Sequence, residues 1–228
     1  MSEPALKFKS YGYTYNFTGE QESQEEEMAF LIKALMIAVF LILLIIVAQF
    51  NRISAPFIIL FSVILSITGV LLGLMAFHMD FVILMTMIGI ISLAGIVVNN
   101  AIVLIDFTIL LKERTLSQMD EPEKYGKEEL VSNLVEGGKT RLRPVLLTAI
   151  TTVLGLIPLA IGLNINFFSF LETYDAKFSM GGDMTMFWGP MSWTIIFGIT
   201  FATFLTLIVV PVMFLMVKGL KAKIYKRY

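Results

Sequence analysis

Long apolar runs broken by short polar stretches set the pattern of this chain. Five runs, at 28–50, 57–77, 81–111, 144–163 and 191–217, match the roughly 20 mainly apolar residues that a helix needs to cross a hydrocarbon core. The first carries one charge, Lys33, near enough to its start for the ammonium to reach the interface. The acidic run Glu25-Glu26-Glu27 precedes it, where a cleavable secretory signal would carry basic residues. The connections at 51–56 and 78–80 are so short that the first three helices must be antiparallel neighbours. The pattern predicts an all-α membrane protein built on a five-helix transmembrane bundle.

The polar stretches complete the layout. Residues 7–17 alternate, with Tyr11, Tyr13, Tyr15 and Phe17 on one side and Gly12, Thr14 and Asn16 on the other. That is strand periodicity, and a lone strand cannot pair its own backbone. Residues 1–27 therefore read as a leftover extracytoplasmic strand followed by an acidic linker, 28–217 as the membrane domain and 218–228 as a basic tail. Within the long polar segment 112–143, residues 128–135 are expected to form an amphipathic surface helix ended by Gly137-Gly138. Residues 164–190 form the second long loop, with Phe187-Trp188-Gly189-Pro190 leading into the last span. Thirteen lysines and arginines fall on the side holding loop 51–56, segment 106–143 and the tail, against four on the other. The positive-inside rule then places the C-terminus in the cytoplasm and the N-terminus outside.

Composition narrows the function. Apolar residues make up 57% of the 228 and charged residues 15%, against about 25% charge in soluble domains. The absence of cysteine removes disulfides, thiolate metal sites and cysteine nucleophiles. A net charge of −1 leaves no field for nucleic acid. No phosphate-binding loop, nucleophile elbow or His-Glu-x-x-His pair is present, so neither enzyme activity nor a cofactor nor a metal is expected. The single histidine, His78, has no second imidazole with which to share a metal and reads as an interfacial residue.

Polar residues inside apolar runs carry the remaining signal. Asn99 and Asn100 lie past the middle of the third run, and an unpaired amide in hydrocarbon costs several kcal/mol. Heptad spacing sets Ser92, Asn99 and Asp106 on one stripe with Gly95 beside it, a stripe expected to face protein or an internal water cavity. Interhelical bonding and an ion pathway are both open for it. Asp106 lies near the cytoplasmic end, within reach of the interface or a loop arginine. The fourth run opens with Arg141-Leu142-Arg143-Pro144 and continues through Thr148 and Thr152 on one face. Each threonine hydroxyl can bond its own backbone or join a polar line with Asn99. Ser62, Ser66, Gly69 and Gly73 form a small-residue ridge that favours close helix packing.

Several stretches together resemble one family, the resistance-nodulation-division (RND) exporters of the hydrophobe/amphiphile type. They are Phe17-Thr18-Gly19-Glu20-Gln21-Glu22, Val47-Ala48-Gln49-Phe50-Asn51, residues 95–106, Thr140-Arg141-Leu142-Arg143-Pro144, Gly155-Leu156-Ile157-Pro158, Phe187-Trp188-Gly189-Pro190 and Val209-Val210-Pro211. The likeness covers nearly the whole chain and matches the last five helices of a twelve-helix protein. It implies an inner-membrane, proton-driven exporter of drugs or amphiphiles, trimeric when its protomers are complete. The strand at 7–17 would then close a porter domain. The resemblance places Asn99 where the family often has a lysine that pairs with two aspartates, and Asn100 on the asparagine that follows. Arg141 matches a cytoplasm-facing arginine and Thr148 a proton-pathway threonine, while Asp106 adds an acid of this chain to the coupling region. The aspartates belong to an N-terminal half that is the implied partner, beside membrane lipid, so this chain alone is expected not to export. The competing reading is a non-transporting membrane scaffold or partner subunit that oligomerises through the polar stripe.

Overall fold

Helices follow the apolar runs and overshoot most of them. The computed structural model describes residues 20–50, 54–119, 126–165 and 178–225. Within them lie five helices long and apolar enough to cross a membrane: α1 (Glu20–Phe50), α2 (Ser54–Ala76), α3 (Ile83–Gln118), α4 (Lys127–Ile161) and α5 (Asp183–Tyr225). The chain is an all-α, multi-pass membrane protein. α5 is the spine and packs along α2, α3 and α4, whereas α1 rests on α3 and α2. Leu93, Val97 and Leu104 of α3 meet Val70 of α2, Ile46 of α1 and Ile199 of α5 in one core cluster. The expected strand at 7–17 lies outside the described residues. From Glu20 onward the acidic stretch is already helical and continuous with the first span.

Close approach explains the contact of α2 with α5. A Cβ on Gly69 would strike the Phe201 side chain, and one on Gly73 would strike Phe197. The Ser62 and Ser66 hydroxyls donate to the Ile59 and Val63 carbonyls, both at 2.6 Å, so these buried hydroxyls are satisfied within their own helix. α2 ends in a reversal at His78, whose φ of 53° is left-handed. The His78 N–H donates to the Met75 carbonyl at 3.3 Å and the Met79 N–H to that of Leu74 at 3.0 Å. This is the Schellman closure, with histidine where glycine is usual.

The two long polar segments depart from expectation. No separate surface helix ends at Gly137-Gly138, because α4 runs unbroken from Lys127 to Ile161 through both glycines and Pro144. Two helical glycines cost about 1 kcal/mol each. Gly137 returns this by proximity, since its Cβ position lies 3.2 Å from Thr108 Oγ1 of α3. The start of α4 is fixed by the Gly126 N–H donating to Glu129 Oε2 at 2.9 Å, and its end by Gly162 at φ 67°. α3 also continues to Gln118, so the polar segment contributes helix from both sides. α5 begins at Asp183, which puts Phe187-Trp188-Gly189-Pro190 inside its first turns and not ahead of it. Two short strands, β1 (Leu163–Ile165) and β2 (Phe178–Met180), pair antiparallel between α4 and α5 with Leu163 opposite Met180. α5 carries its helix to Tyr225, into the basic tail.

Candidate functional site

α3 is the most enclosed of the five helices, yet it presents one open face. Leu93, Val97, Ala101 and Leu104 point into the core. Ser92, Gly95, Asn99 and Asp106 are exposed. The 3.6-residue period separates the adjacent amides by about 100°. Asn100 therefore turns inward and is 7% exposed, while Asn99 turns out. Gly95 does not pack against another of the described helices, as nothing lies within 4 Å of its Cβ position. The polar stripe is thus uncovered by the described residues of this chain.

The α4 residues lie partly on the same end of the bundle. The Arg141 guanidinium carbon sits 4.4 Å from the centroid of the Phe107 ring, next in sequence to Asp106. Stacking on a ring face suits a planar, weakly hydrated cation. Arg141 Nε is buried without a hydrogen-bond partner, and among the described residues Asp106 has no ion-pair partner. The Thr148 hydroxyl donates to the Val145 carbonyl at 2.9 Å and that of Thr152 to the Thr148 carbonyl at 2.8 Å. No hydrogen bond joins Thr148 to Asn99. Arg141 and the Asp106 segment are brought together; Asn99 and Thr148 are not. Among the described residues no group of acids and histidine could hold a metal ion.

Sequence reasoning missed two contacts that hold this end. The Thr115 hydroxyl donates to Asn133 Oδ1 at 3.1 Å, bridging α3 and α4, and Phe107 supplies the surface under Arg141. Neither has a sequence signal, because both depend on the register of helices separated by a polar connection.

Residues 5–218 match the AcrB/AcrD/AcrF family. The chain is 36% identical over 181 residues to the swarming motility protein SwrC of Bacillus subtilis, covering 79% of this chain and 14% of that protein. It is 31% identical over 156 residues to the multidrug resistance protein MdtC of Edwardsiella ictaluri, covering 68% and 12%. Among solved structures, a heavy metal efflux pump aligns with a TM-score of 0.65 at 25% identity, covering 95% of this chain and 19% of the pump. The chain spans less than a fifth of the length of these relatives.

Proposed function

The chain belongs to the AcrB/AcrD/AcrF family, and from that premise we propose that it acts as the C-terminal membrane half of a proton-driven RND efflux transporter. One observation carries the reading. Ser92, Gly95, Asn99 and Asp106 form an exposed face on the central helix that none of the described helices covers. Polar side chains facing hydrocarbon are costly, and the open position of Gly95 leaves room for close approach of another helix. The occupant of this face is an N-terminal half bearing the carboxylates that take up and release protons. Asn99 cannot ionise, but its amide accepts from a protonated acid and donates to an ionised one. Arg141, Asp106 and Thr148 border the cytoplasmic proton exit, and Asn100 is buried inside the bundle.

In this reading the membrane is the bacterial inner membrane, the complete protomers form trimers, and the cargo is a drug or amphiphile. The metal-pump likeness makes a cation the competing cargo. Alone, the chain has no titrating group at mid-membrane depth and should not export.

The test is Asn99→Leu in the chain assembled with an N-terminal half in proteoliposomes, measured as proton-dependent dye efflux per assembled complex. Efflux is expected to fall at least tenfold, on the order of the 1.4 kcal/mol or more that losing one hydrogen bond to a charged group costs. Asn99→Lys should retain more. Unchanged efflux in the leucine variant, or export by the chain alone, would overturn the assignment and favour the scaffold reading.

A further inference from the structure

A second feature lies on the opposite side of α4, away from the polar stripe. The first half of α4 packs along residues 207–215 of α5 and leaves an apolar groove of about 360 Å³, lined by Leu134, Val135 and Gly138 of α4 and by Leu207, Pro211 and Leu215 of α5, among others. Lys139 is on its rim. Gly138 opens into it, with nothing within 4 Å of its Cβ position. Pro211 has no N–H to give to the Leu207 carbonyl, so an acceptor of the backbone is left beside the groove.

The depth of Lys139 is the informative part. α3 carries Asp106 on its exposed face and becomes densely charged at Lys112, Glu113 and Arg114, where Thr115 is bonded to Asn133 of α4. Lys139 is six residues further along α4, about 9 Å deeper toward the membrane centre. Arg143 follows one turn beyond on the same face, also exposed. The α5 residues across the groove are all apolar. Two exposed cations therefore stand on α4 near the level of Asp106, deeper than the run from Lys112 to Arg114 and beside an otherwise apolar groove. Among the described residues Lys139 has no ion-pair partner.

We propose that the α4–α5 groove binds one anionic phospholipid, its phosphate drawn to Lys139 and Arg143 and an acyl chain lying in the apolar groove over Gly138. Charge complementarity selects the headgroup, and a basic residue near a membrane surface favours anionic lipid severalfold. The groove supplies the apolar part of the recognition that surface charge alone lacks. This site is independent of the coupling face, and the two assignments stand or fall separately.

The experiment is native mass spectrometry of the full chain in detergent, loaded with palmitoyl-oleoyl phosphatidylglycerol or with the matching phosphatidylcholine. The wild type should retain phosphatidylglycerol about 25-fold better, about fivefold for each of the two cations. Lys139→Gln should remove about fivefold of that preference, and Lys139→Gln with Arg143→Gln nearly all of it. Gly138→Phe, whose Cβ would meet nothing within 4 Å and whose ring would occupy the groove, should lower retention of both lipids. Lys33→Gln, a cation on α1, should change nothing. Equal retention of the two lipids by the wild type would overturn the proposal. So would an unaltered preference in the Lys139 and Arg143 variants, or a Gly138→Phe effect on self-association in place of lipid retention.

Discussion

At the scale of single residues, burial and hydrogen bonding separate groups that composition treats alike. Asn99 and Asn100 are chemically identical neighbours, yet one faces out of the bundle and the other into it. Asn99→Leu should therefore leave the melting of the isolated chain within about 0.5 kcal/mol, as exposed substitutions do, while abolishing transport in the assembly. Thr86 is the opposite case. It is fully buried on α3, and its hydroxyl has no hydrogen-bond partner, although most threonines of the spans bond back to their own helix, as Thr108 does to the Leu104 carbonyl at 2.8 Å. Replacing an unsatisfied buried hydroxyl with a methyl of the same shape removes a desolvation penalty. Thr86→Val is expected to raise the stability of the chain in detergent by about 1 kcal/mol, read as a higher midpoint in thermal unfolding. A lower midpoint would mean that the hydroxyl has a partner in solution. The sequence pointed to the stripe around Asn99 because heptad spacing is periodic. It was silent on Thr86, because an unpaired hydroxyl is a property of rotamer and neighbour, not of spacing.

At the scale of elements, apolar run length located every span, but the ends of the helices depended on contacts. The Gly137-Gly138 pair carries a stop signal when read locally, and α4 passes through it because Gly137 lets α3 approach at Thr108. The propensity penalty is paid at two positions and recovered by packing along both neighbours. Likewise Phe187-Trp188-Gly189-Pro190 reads as an interfacial lead-in, yet it is helical, and just beyond it Trp193 Nε1 donates to the Ala160 carbonyl at 3.1 Å and ties α5 to the end of α4. Glycines on these helices differ by what stands opposite. Gly73 faces the Phe197 ring across the α2–α5 contact, whereas Gly95 faces open space. Gly73→Leu should force the two helices apart and cost about 3 kcal/mol or more, enough to lose the monodisperse chain in size-exclusion chromatography. Gly95→Leu should elute and melt as the wild type does, and should fail to associate with an N-terminal half. Equal behaviour of the two variants would remove the distinction between an internal packing face and a docking face.

At the scale of the whole molecule, charge distribution and helix count together make a claim about direction. The chain crosses between its residues 23 and 117 by α1, α2 and α3, so those positions must lie on opposite sides of the membrane. The side holding 117 carries thirteen of the seventeen lysines and arginines. Some of them, Arg141 over Phe107 and Lys139 on the groove rim, are held on helices and not in a loose loop. They lie at the basic end of α4, which the positive-inside rule predicts to be cytoplasmic. The native chain has no cysteine, so a single introduced thiol reports one position without background. Ser23 and Ser117 are both exposed and tolerate the change on solvation grounds. With a membrane-impermeant maleimide, Ser23→Cys should label in intact cells, and Ser117→Cys only after the membrane is opened. Labelling of both from one side would break the three-span connection between them. Labelling with the sides exchanged would keep the fold and reverse its orientation, which would place the basic end of α4, with Arg141 and Asp106, at the extracytoplasmic mouth of the proposed proton path.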